Sequence, residues 1–260
     1  MKKNLNVRDF MIMVISASVG TSLVLAAFFY VTEMKSRETE PLSNYRTSPN
    51  SNADDFFWAK QIQEDKKRYI LWFRHAEREK WTGTVTVFDY FDVNKDKKEL
   101  PLNWRPAVCL NSKGIAEAQI VGETFRKLDI KVSKIITSPS CRAKQTALNA
   151  FGRFDQEWLE ILHPTAIPFH QQELFSERLK QKINLLISTD STSDGAIVVT
   201  GHGNTLPFYS DNLFIESHVK NWTINELGFI LIEITPKGLI AQHSFIDFYQ
   251  FANMLLEYNN

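Results

Sequence analysis

An arginine and a histidine directly follow an apolar run near the start of the globular part of the chain. The run, Tyr69 to Phe73, is rich in aromatic and branched residues, which is typical of a buried strand, and Arg74, His75 and Glu77 come after it. Charged side chains cannot share the burial of that strand, so the chain has to leave the sheet at Arg74. An arginine and a histidine at a strand's carboxyl end are well placed to bind an anion, because ligands of α/β sheets collect at that edge.

Two further apolar runs end in the same way. Lys134 to Ser138 is followed by a proline-led helix start that carries Arg142, and Ala196 to Thr200 is followed by Gly-His-Gly with His202. If these strands are parallel, all three open onto one edge of the sheet. Two arginines, two histidines and a helix N-terminus would then surround one small crevice, a combination that suits a phosphoryl group.

These residue types also predict a reaction. A histidine with a neutral ring nitrogen can attack phosphorus and hold the phosphoryl group covalently until water removes it, and we assign this role to His75. Arg74, Arg142 and a protonated His202 would hold the charge on the equatorial oxygens. The scheme needs neither a metal nor a cofactor, and the six histidines show no HxxxH or HExxH spacing.

The pattern around these strands predicts the elements that position them. Helical periodicity covers Ser112 to Asp129, Ser140 to Phe151 and Glu173 to Ser188. Phe229 to Ile234 and Leu239 to Phe245 flank a Thr-Pro-Lys-Gly turn and predict a hairpin at the sheet edge. Alternating strands and helices favour a three-layer α/β/α sandwich with a mostly parallel sheet.

The N-terminal part of the chain differs in composition from the rest. The stretch 10–32 carries no charge and is long enough to cross a bilayer core of roughly 30 Å, so we expect a single transmembrane anchor there. Basic residues in 1–9 favour a cytoplasmic N-terminus and place the remaining chain outside, after a polar linker at 33–55. A cleaved signal peptide is the alternative. The domain proper is expected at 56–260.

The charge balance limits the possible binding partners, and the cysteines bear on the redox compartment of the protein. The 30 basic and 30 acidic residues cancel, so no whole-chain field favours nucleic acid as a partner. Cys109 and Cys141 could pair in an oxidising space or remain as buried free thiols. The aromatic-rich insertion at about 78–110 could form a lid over the site or an ordinary surface excursion.

Four blocks of the sequence resemble a known family. FRHAE, LNSKGIAEAQ, ITSPSCRAKQTA and VVTGHGNT are similar, in order and spacing, to the signature blocks of the histidine phosphatase superfamily, in its phosphoglycerate-mutase-like branch. The resemblance runs from about Tyr69 to Ile234, with RHA in place of the usual RHG. It implies that His75 is the phosphorylated nucleophile and that Arg74, Arg142 and His202 complete the phosphate pocket.

A narrower resemblance concerns the substrate. RHAER, the cysteine before Leu110 and the outward-facing, anchored arrangement look most like the lipopolysaccharide core heptose(II)-phosphate phosphatases. This implies a phosphorylated sugar or an envelope glycolipid as the substrate. It also implies a place in the bacterial inner membrane, with the catalytic domain facing the periplasm.

The proton donor has a weaker signal. Related phosphatases usually carry an acid between the second arginine and the second histidine, and Glu173 in QQELFSE is the best-placed candidate, followed by Glu177 and Glu77. Glu77 is also a candidate for binding substrate. The alternative for Glu173 is a first-turn helix residue favoured by the macrodipole. The remaining histidines are expected to be structural or surface residues: His163, His170, His218 and His243.

The sequence therefore predicts a phosphoric monoester hydrolase that works through a phosphohistidine on His75. Two alternatives remain open at this point. One is a membrane-tethered scaffold that binds phosphate without turnover, and the other is a phosphohistidine-protein phosphatase. A mutase is disfavoured, because a domain facing outward would lack glycolytic substrates.

Overall fold

The computed structural model describes residues 53–64, 67–80, 108–189 and 194–258. The chain divides into the units Met1–Arg46 and Thr47–Asn260, and the described residues all belong to the second. The predicted segments 1–9 and 10–32, most of the linker and the middle of the insertion lie outside the described residues. Within those residues, none of the helices has the length and apolar character that crossing a membrane requires.

The centre of the domain is a seven-stranded sheet. Its strands are β1 (Arg68–Arg74), β2 (Val132–Thr137), β3 (Gln156–Glu157), β4 (Ala196–Gly201), β5 (Phe214–Ser217), β6 (Phe229–Thr235) and β7 (Gly238–Phe245). Their order across the sheet is β3-β2-β4-β1-β6-β7-β5. The first strand in sequence thus lies in the middle of the sheet, which is why its five central residues are buried on both faces.

The sheet is mixed, which corrects the expectation of a mostly parallel one. β1 pairs parallel with β4, and β4 parallel with β2, as the strand-end argument requires. β6, however, runs antiparallel to both of its neighbours, β1 and β7. The short turn between β6 and β7 can only reverse the chain, which explains the antiparallel pairing of these two strands, and β6 joins the sheet antiparallel to β1. The predicted hairpin is present, but the short strand β5, which sequence patterning missed, covers its outer side and forms the edge.

Six helices accompany the sheet. They are α1 (Ala53–Glu64), α2 (Ser112–Lys127), α3 (Cys141–Phe151), α4 (Gln172–Thr189), α5 (Thr205–Leu213) and α6 (Phe248–Tyr258) within the described residues. Local signals explain two of the ends. The side chain of Asn111 caps α2 by accepting a hydrogen bond from the amide of Gly114, and α3 stops at Gly152, whose φ of 72° is left-handed.

Side chains of β1 alternate between two hydrophobic clusters. Tyr69, Leu71 and Phe73 pack with residues of α1, α2, α3 and α6, whereas Ile70 and Trp72 pack with residues of α4 and α5. Helices therefore cover both faces of the sheet. This arrangement agrees with the predicted α/β/α layering, and it leaves the carboxyl edge of the central strands as the open place for a site.

Candidate active site

Two of the predicted site residues meet because their strands are neighbours. Arg74, the last residue of β1, lies opposite Gly201 of β4, and the amide of His75 donates to the carbonyl of Gly201 at 2.9 Å. His75 and His202 therefore leave the sheet side by side. Their rings meet edge to face, with centroids 5.4 Å apart.

A cavity of about 130 Å³ lies at this edge of the sheet. The four residues that the strand ends predicted all line it. The described residues that line it are Arg74, His75, Arg78, Arg142, His163, His202, Gly203 and Asn204. Arg78, His163 and Asn204 were not predicted as site residues. Arg78 and Asn204 lie a few residues after β1 and β4, and His163 lies on a loop that follows no strand-end signature.

His75 is held in the tautomer that a nucleophile needs. Its ring is buried, and Nδ1 lies 2.8 Å from the carbonyl oxygen of Ala76, which can only accept a hydrogen bond. Nδ1 therefore carries the proton, and Nε2 keeps its lone pair. Burial, followed by the charges of Arg142 and Arg74, holds the pKa of His75 well below its usual range, so the ring stays neutral.

His202 uses both ring nitrogens within the protein. Nδ1 lies 3.3 Å from Nη2 of Arg142, and Nε2 lies 3.3 Å from the hydroxyl oxygens of Ser138 and Ser140. A guanidinium only donates, so Nδ1 accepts and the neutral ring carries its proton on Nε2. Burial and Arg142 hold the pKa of His202 well below its usual range. The pocket's own charges therefore favour the neutral ring. The protonated His202 was predicted for the pocket with a phosphoryl group bound, and it stays a prediction.

Arg142 is placed by the start of α3. It is the second residue of that helix and only 1% exposed. The residue before it, Cys141, forms a disulfide with Cys109, with Cα atoms 5.0 Å apart. The question that the sequence left open for the cysteines is thus answered. The bridge joins the end of the insertion to the helix turn that carries Arg142.

The two ends of the insertion lie together. Arg78 and Leu110 form an antiparallel bridge, and the amide of Glu79 donates to the carbonyl of Cys109 at 3.0 Å. The middle of the insertion lies outside the residues that the structure describes. Whether the insertion forms a lid or a surface excursion therefore stays a prediction. The insertion begins and ends beside the cavity, since Arg78 lines it.

Arg74 is fastened to a segment that the sequence did not single out. Its Nη1 donates to the carbonyl of Ile224 at 3.0 Å, and its Nη2 lies 3.8 Å from Oε1 of Glu226. The next residue, Leu227, has a left-handed φ of 62°, and its amide approaches the carbonyl oxygens of Arg74 and His75 at 3.2 and 3.3 Å. A branched side chain at that φ is strained, so the hydrogen bonds have to hold it there. Burial raises the pKa of Glu226.

Glu77 lies beside the cavity rather than in it, and its predicted role in binding substrate stays a prediction. Nζ of Lys113 lies 2.6 Å from its carboxylate, and Nδ2 of Asn111 lies 2.8 Å from it. The hydrogen bonds from Lys113 and Asn111 lower the pKa of Glu77. Glu77 lines two clefts beside the cavity, which it shares with Glu226, but not the cavity itself. The carboxylate is thus positioned for the rim rather than for the reacting centre.

Glu173 is not brought into the site, which corrects its selection as the proton donor. It lies exposed in the first turn of α4 and does not line the cavity, and Glu177 is exposed as well. The reason is the packing of α4, which buries Phe175 and Leu179 and so turns both carboxylates to solvent. The loop before α4 instead brings His163 to the cavity.

His163 is the most informative residue that sequence patterning dismissed. Its ring meets that of His202 edge to face, with centroids 5.6 Å apart. Burial, followed by the charges of Arg142 and Arg74, lowers the pKa of His163 to about 4. No local pattern marks this histidine; the only signal is its place between Arg142 and His202 along the chain.

Other features of the described residues do not compete with this site. A larger cavity of about 590 Å³ lies where α1 faces β7, and none of the predicted site residues lines it. Within the described ranges, no group of three or more His, Cys, Asp and Glu side chains has the geometry to hold a metal ion.

Comparisons with known proteins support the family. The model of the histidine phosphatase superfamily (branch 1) matches residues 70–163. Among curated proteins, none matches the chain.

Several solved structures resemble the fold at low identity. A putative α-ribazole-5'-P phosphatase from Escherichia coli is 14% identical, covers 69% of this chain and 97% of its own, and has a TM-score of 0.44. The putative phosphohistidine phosphatase SixA from Agrobacterium tumefaciens is 17% identical, with coverages of 64% and 91% and a TM-score of 0.40. A mycobacterial glucosyl-3-phosphoglycerate phosphatase is 13% identical, with coverages of 65% and 91% and a TM-score of 0.42. At such identities and TM-scores we draw no conclusion from them.

The matched segment contains the blocks with His75 and Arg142, on which the predicted resemblance was based. The predicted class, a phosphoric monoester hydrolase, agrees with that family and with an arginine-lined cavity around a neutral histidine. The predicted resemblance is therefore confirmed over residues 70–163, which match the model of the histidine phosphatase superfamily, branch 1.

Proposed function

We propose that this protein hydrolyses phosphate monoesters through a phosphohistidine on Nε2 of His75. One observation carries the proposal. The hydrogen bond from Nδ1 of His75 to Ala76 leaves Nε2 with its lone pair inside a cavity that Arg74 and Arg142 also line. A nucleophile without a proton to lose, next to two guanidinium groups, is what attack on an anionic phosphoryl group requires.

In the first step, Nε2 of His75 attacks phosphorus while the bond from phosphorus to the ester oxygen breaks. The leaving oxygen takes a proton from a donor in the pocket. Arg74 and Arg142 stabilise the charge on the three equatorial oxygens. In the second step, water attacks phosphorus, the phosphorus–nitrogen bond breaks, and the water's proton returns to the same donor.

The bound phosphoryl group also changes the charge state of His202. Burial and the surrounding cations keep this ring neutral. A dianion placed among Arg74, Arg142 and His202 offsets those cationic charges, so it raises the pKa of the ring. The protonated His202 expected from the sequence then belongs to the substrate complex.

The size of the cavity limits what it encloses. Pockets that bury whole drug-sized ligands measure roughly 300–1,000 Å³. At about 130 Å³, this cavity accommodates a phosphoryl group and leaves the remainder of the substrate at its mouth. The clefts beside it are lined by charged and amide side chains, including Lys113, Glu117 and Asn225, which suit a partner rich in hydroxyl groups.

For the substrate we propose a phosphorylated sugar or an envelope glycolipid, such as a lipopolysaccharide core heptose phosphate. The uncharged stretch 10–32 would anchor the chain in the bacterial inner membrane, with the catalytic domain in the periplasm. The disulfide between Cys109 and Cys141 supports this compartment, because such bonds persist in oxidising spaces. A topology reporter fused after Asn260 tests the location, and a cytoplasmic signal would remove the envelope substrate.

Turnover is tested with the full chain and p-nitrophenyl phosphate, comparing the wild type with His75→Ala. We expect hydrolysis by the wild type, an acid-labile phosphoenzyme, and loss of both in the variant. The matched control is His170→Ala, since His170 is exposed and lies outside the cavity. Binding of inorganic phosphate without hydrolysis would favour the scaffold, and turnover by His75→Ala would contradict the covalent mechanism. Comparing kcat/KM for phosphorylated sugars, glycolipids and a phosphohistidine peptide then ranks the substrate classes.

A further inference from the structure

The reaction proposed above needs a proton donor, and none of the described residues that line the cavity is a carboxylate. Among the described residues, its lining supplies only arginines, histidines, a glycine and an asparagine. Glu173 is exposed on α4, and Glu226 and Glu77 line the adjoining clefts instead. Arginine does not release its proton in proteins. The donor within the described lining therefore has to be an imidazole.

Two of the three imidazoles are already committed. His75 donates from Nδ1 to Ala76 and needs Nε2 for the attack on phosphorus. His202 contacts Arg142 through Nδ1, and Ser138 and Ser140 through Nε2. In His163, the hydrogen bonds within the described part of the chain engage only Nδ1, so Nε2 is available to a substrate.

The tautomer of His163 follows from its contacts with Thr165. Nδ1 accepts a hydrogen bond from the amide of Thr165 at 3.3 Å and lies 2.8 Å from the hydroxyl of the same residue. An amide can only donate, so the neutral ring carries its proton on Nε2. No hydrogen bond within the described part of the chain engages that nitrogen.

The ring is held in place by an ordered loop. His163 begins a short 3-10 turn, Pro164–Ala166, and its carbonyl accepts from the amide of Ala166 at 2.8 Å. Its neighbours Leu162 and Pro164 are buried. The loop thus holds His163 at the cavity, and such preorganisation is what a reacting group needs.

We propose that His163 is the catalytic acid, and that its Nε2 gives the proton to the leaving oxygen. This assignment rests on the proposed phosphatase function. In the imidazolium of His163, Nδ1 carries the second proton and donates it to the hydroxyl oxygen of Thr165. As the phosphorus–oxygen bond breaks, the imidazolium loses its Nε2 proton to the departing alkoxide and becomes the neutral ring with its proton on Nδ1. In the second step, the neutral Nε2 takes a proton from the water that attacks the phosphohistidine, which restores the imidazolium.

The electrostatics of the cavity agree with this cycle. Without substrate, burial and the charges of Arg142 and Arg74 lower the pKa of His163 to about 4. Both arginines, and the ring of His202, also face the phosphoryl position. A dianion there offsets the cationic charges and raises the pKa of His163, which favours the imidazolium in the substrate complex.

The test compares two substrates of similar shape whose leaving groups differ, using the full chain. p-Nitrophenyl phosphate releases a stable phenolate and needs little acid assistance, whereas benzyl phosphate releases an alkoxide and needs it. We expect His163→Gln to lower kcat/KM on benzyl phosphate by about 100-fold or more, and on p-nitrophenyl phosphate by about fivefold or less. In the pH–rate profile on benzyl phosphate, the activity of the wild type should also fall at high pH as the imidazolium of His163 deprotonates. The profile of the variant should not show this fall.

Three variants complete the design. His170→Gln carries the same substitution in the same loop, on an exposed histidine outside the cavity, and should keep wild-type kcat/KM on both substrates. Equal losses on both substrates in His163→Gln would overturn the proposal, as would a leaving-group-dependent loss in Glu226→Gln. If His163→Gln unfolds, as a thermal melt would show, His163→Asn is measured with the same pair. Failure of the wild type on both substrates would refute the phosphatase function itself rather than this role.

Discussion

Arg142 and His202 lie in contact inside the protein, with Nη2 of the arginine 3.3 Å from Nδ1 of the histidine. Both side chains are almost fully buried, at 1% and 2% exposure. The guanidinium therefore sets the tautomer of the neighbouring imidazole, and in the proposed mechanism it also binds the phosphoryl oxygens. The contact links the helix start of α3 to the end of β4, which are the second and third of the predicted strand-end signatures.

Replacing Arg142 should therefore affect both binding and the neighbouring ring. Arg142→Ala is expected to lower kcat/KM by about 100- to 1,000-fold, because a preorganised charge on the equatorial oxygens is lost. The pKa of His202 should rise at the same time, since Arg142 lowers it. Steady-state kinetics and NMR titration of the ring measure the two effects. Arg153→Ala, on an exposed arginine two residues from the end of α3, should change neither.

The disulfide should matter for stability and for the site. It closes a loop with a sequence separation of 32 residues, so its reduction is expected to cost about 2–4 kcal/mol of unfolding free energy. Activity should also fall, because Cys141 directly precedes Arg142. Urea unfolding and kinetics with and without reductant provide the measurement. In the double variant Cys109→Ser with Cys141→Ser, the reductant should have no further effect, and a remaining response would contradict this explanation.

The buried histidines make stability depend on pH in a defined direction. In the folded protein the pKa of His163 is lowered from 6.5 to about 4. Between these two values the unfolded chain binds a proton that the folded chain does not, so stability falls as the pH decreases through this window and is retained above it. His75 and His202 shift in the same direction.

This pH dependence can be isolated by difference. Urea unfolding of the wild type from about pH 7 to pH 4 should give a steeper loss of unfolding free energy than the same series for His163→Gln. The other titrating groups are common to the two proteins and cancel in the comparison, except His202, whose pKa His163 also lowers. Parallel curves for the two proteins would show that the ring is not protected from protonation in the folded state.

Close backbone packing behind the site gives a further prediction. A Cβ added at Gly114 would lie 1.9 Å from the carbonyl oxygen of Glu77, two residues after His75. Gly114→Ala should therefore cost about 1–3 kcal/mol of stability and also lower activity, because the segment with His75 has to shift. Thermal melts and kinetics on p-nitrophenyl phosphate measure both.

Gly152→Ala supplies the comparison for that variant. Gly152 has a left-handed φ of 72°, and a Cβ there would meet nothing within 4 Å. The variant should lose about 1 kcal/mol through backbone strain alone and keep its activity. If the two alanine variants lose activity equally, the contact between Gly114 and Glu77 does not position the site.

The confirmed predictions depend on local sequence patterns, whereas the wrong ones depend on contacts between residues far apart in the chain. The three strand ends were visible because an apolar run followed by a charged or glycine-rich stretch is a local pattern, and parallel pairing of β1, β4 and β2 then brings Arg74, His75, Arg142 and His202 together. The reversal of β6 depended on which strand the hairpin would join. Nothing in the hairpin's own sequence specifies that neighbour.

Glu173 and His163 show the same limit at the site. Glu173 had the residue type and the rough spacing of a donor, but the inward packing of Phe175 and Leu179 in α4 turns it to solvent. His163 had no pattern at all, and it reaches the cavity only because a loop of short turns is folded against α4 and α5.

By itself, the sequence determined the class of chemistry and the residues at the strand ends, because burial forces charged side chains out of a sheet at a place that the chain's own pattern reveals. Only the tertiary structure decided the pairing of Cys109 with Cys141, the tautomers of the histidines and the identity of the third ring in the cavity. These depend on contacts between residues far apart in the chain, whose distances and hydrogen bonds exist only after the layers have packed.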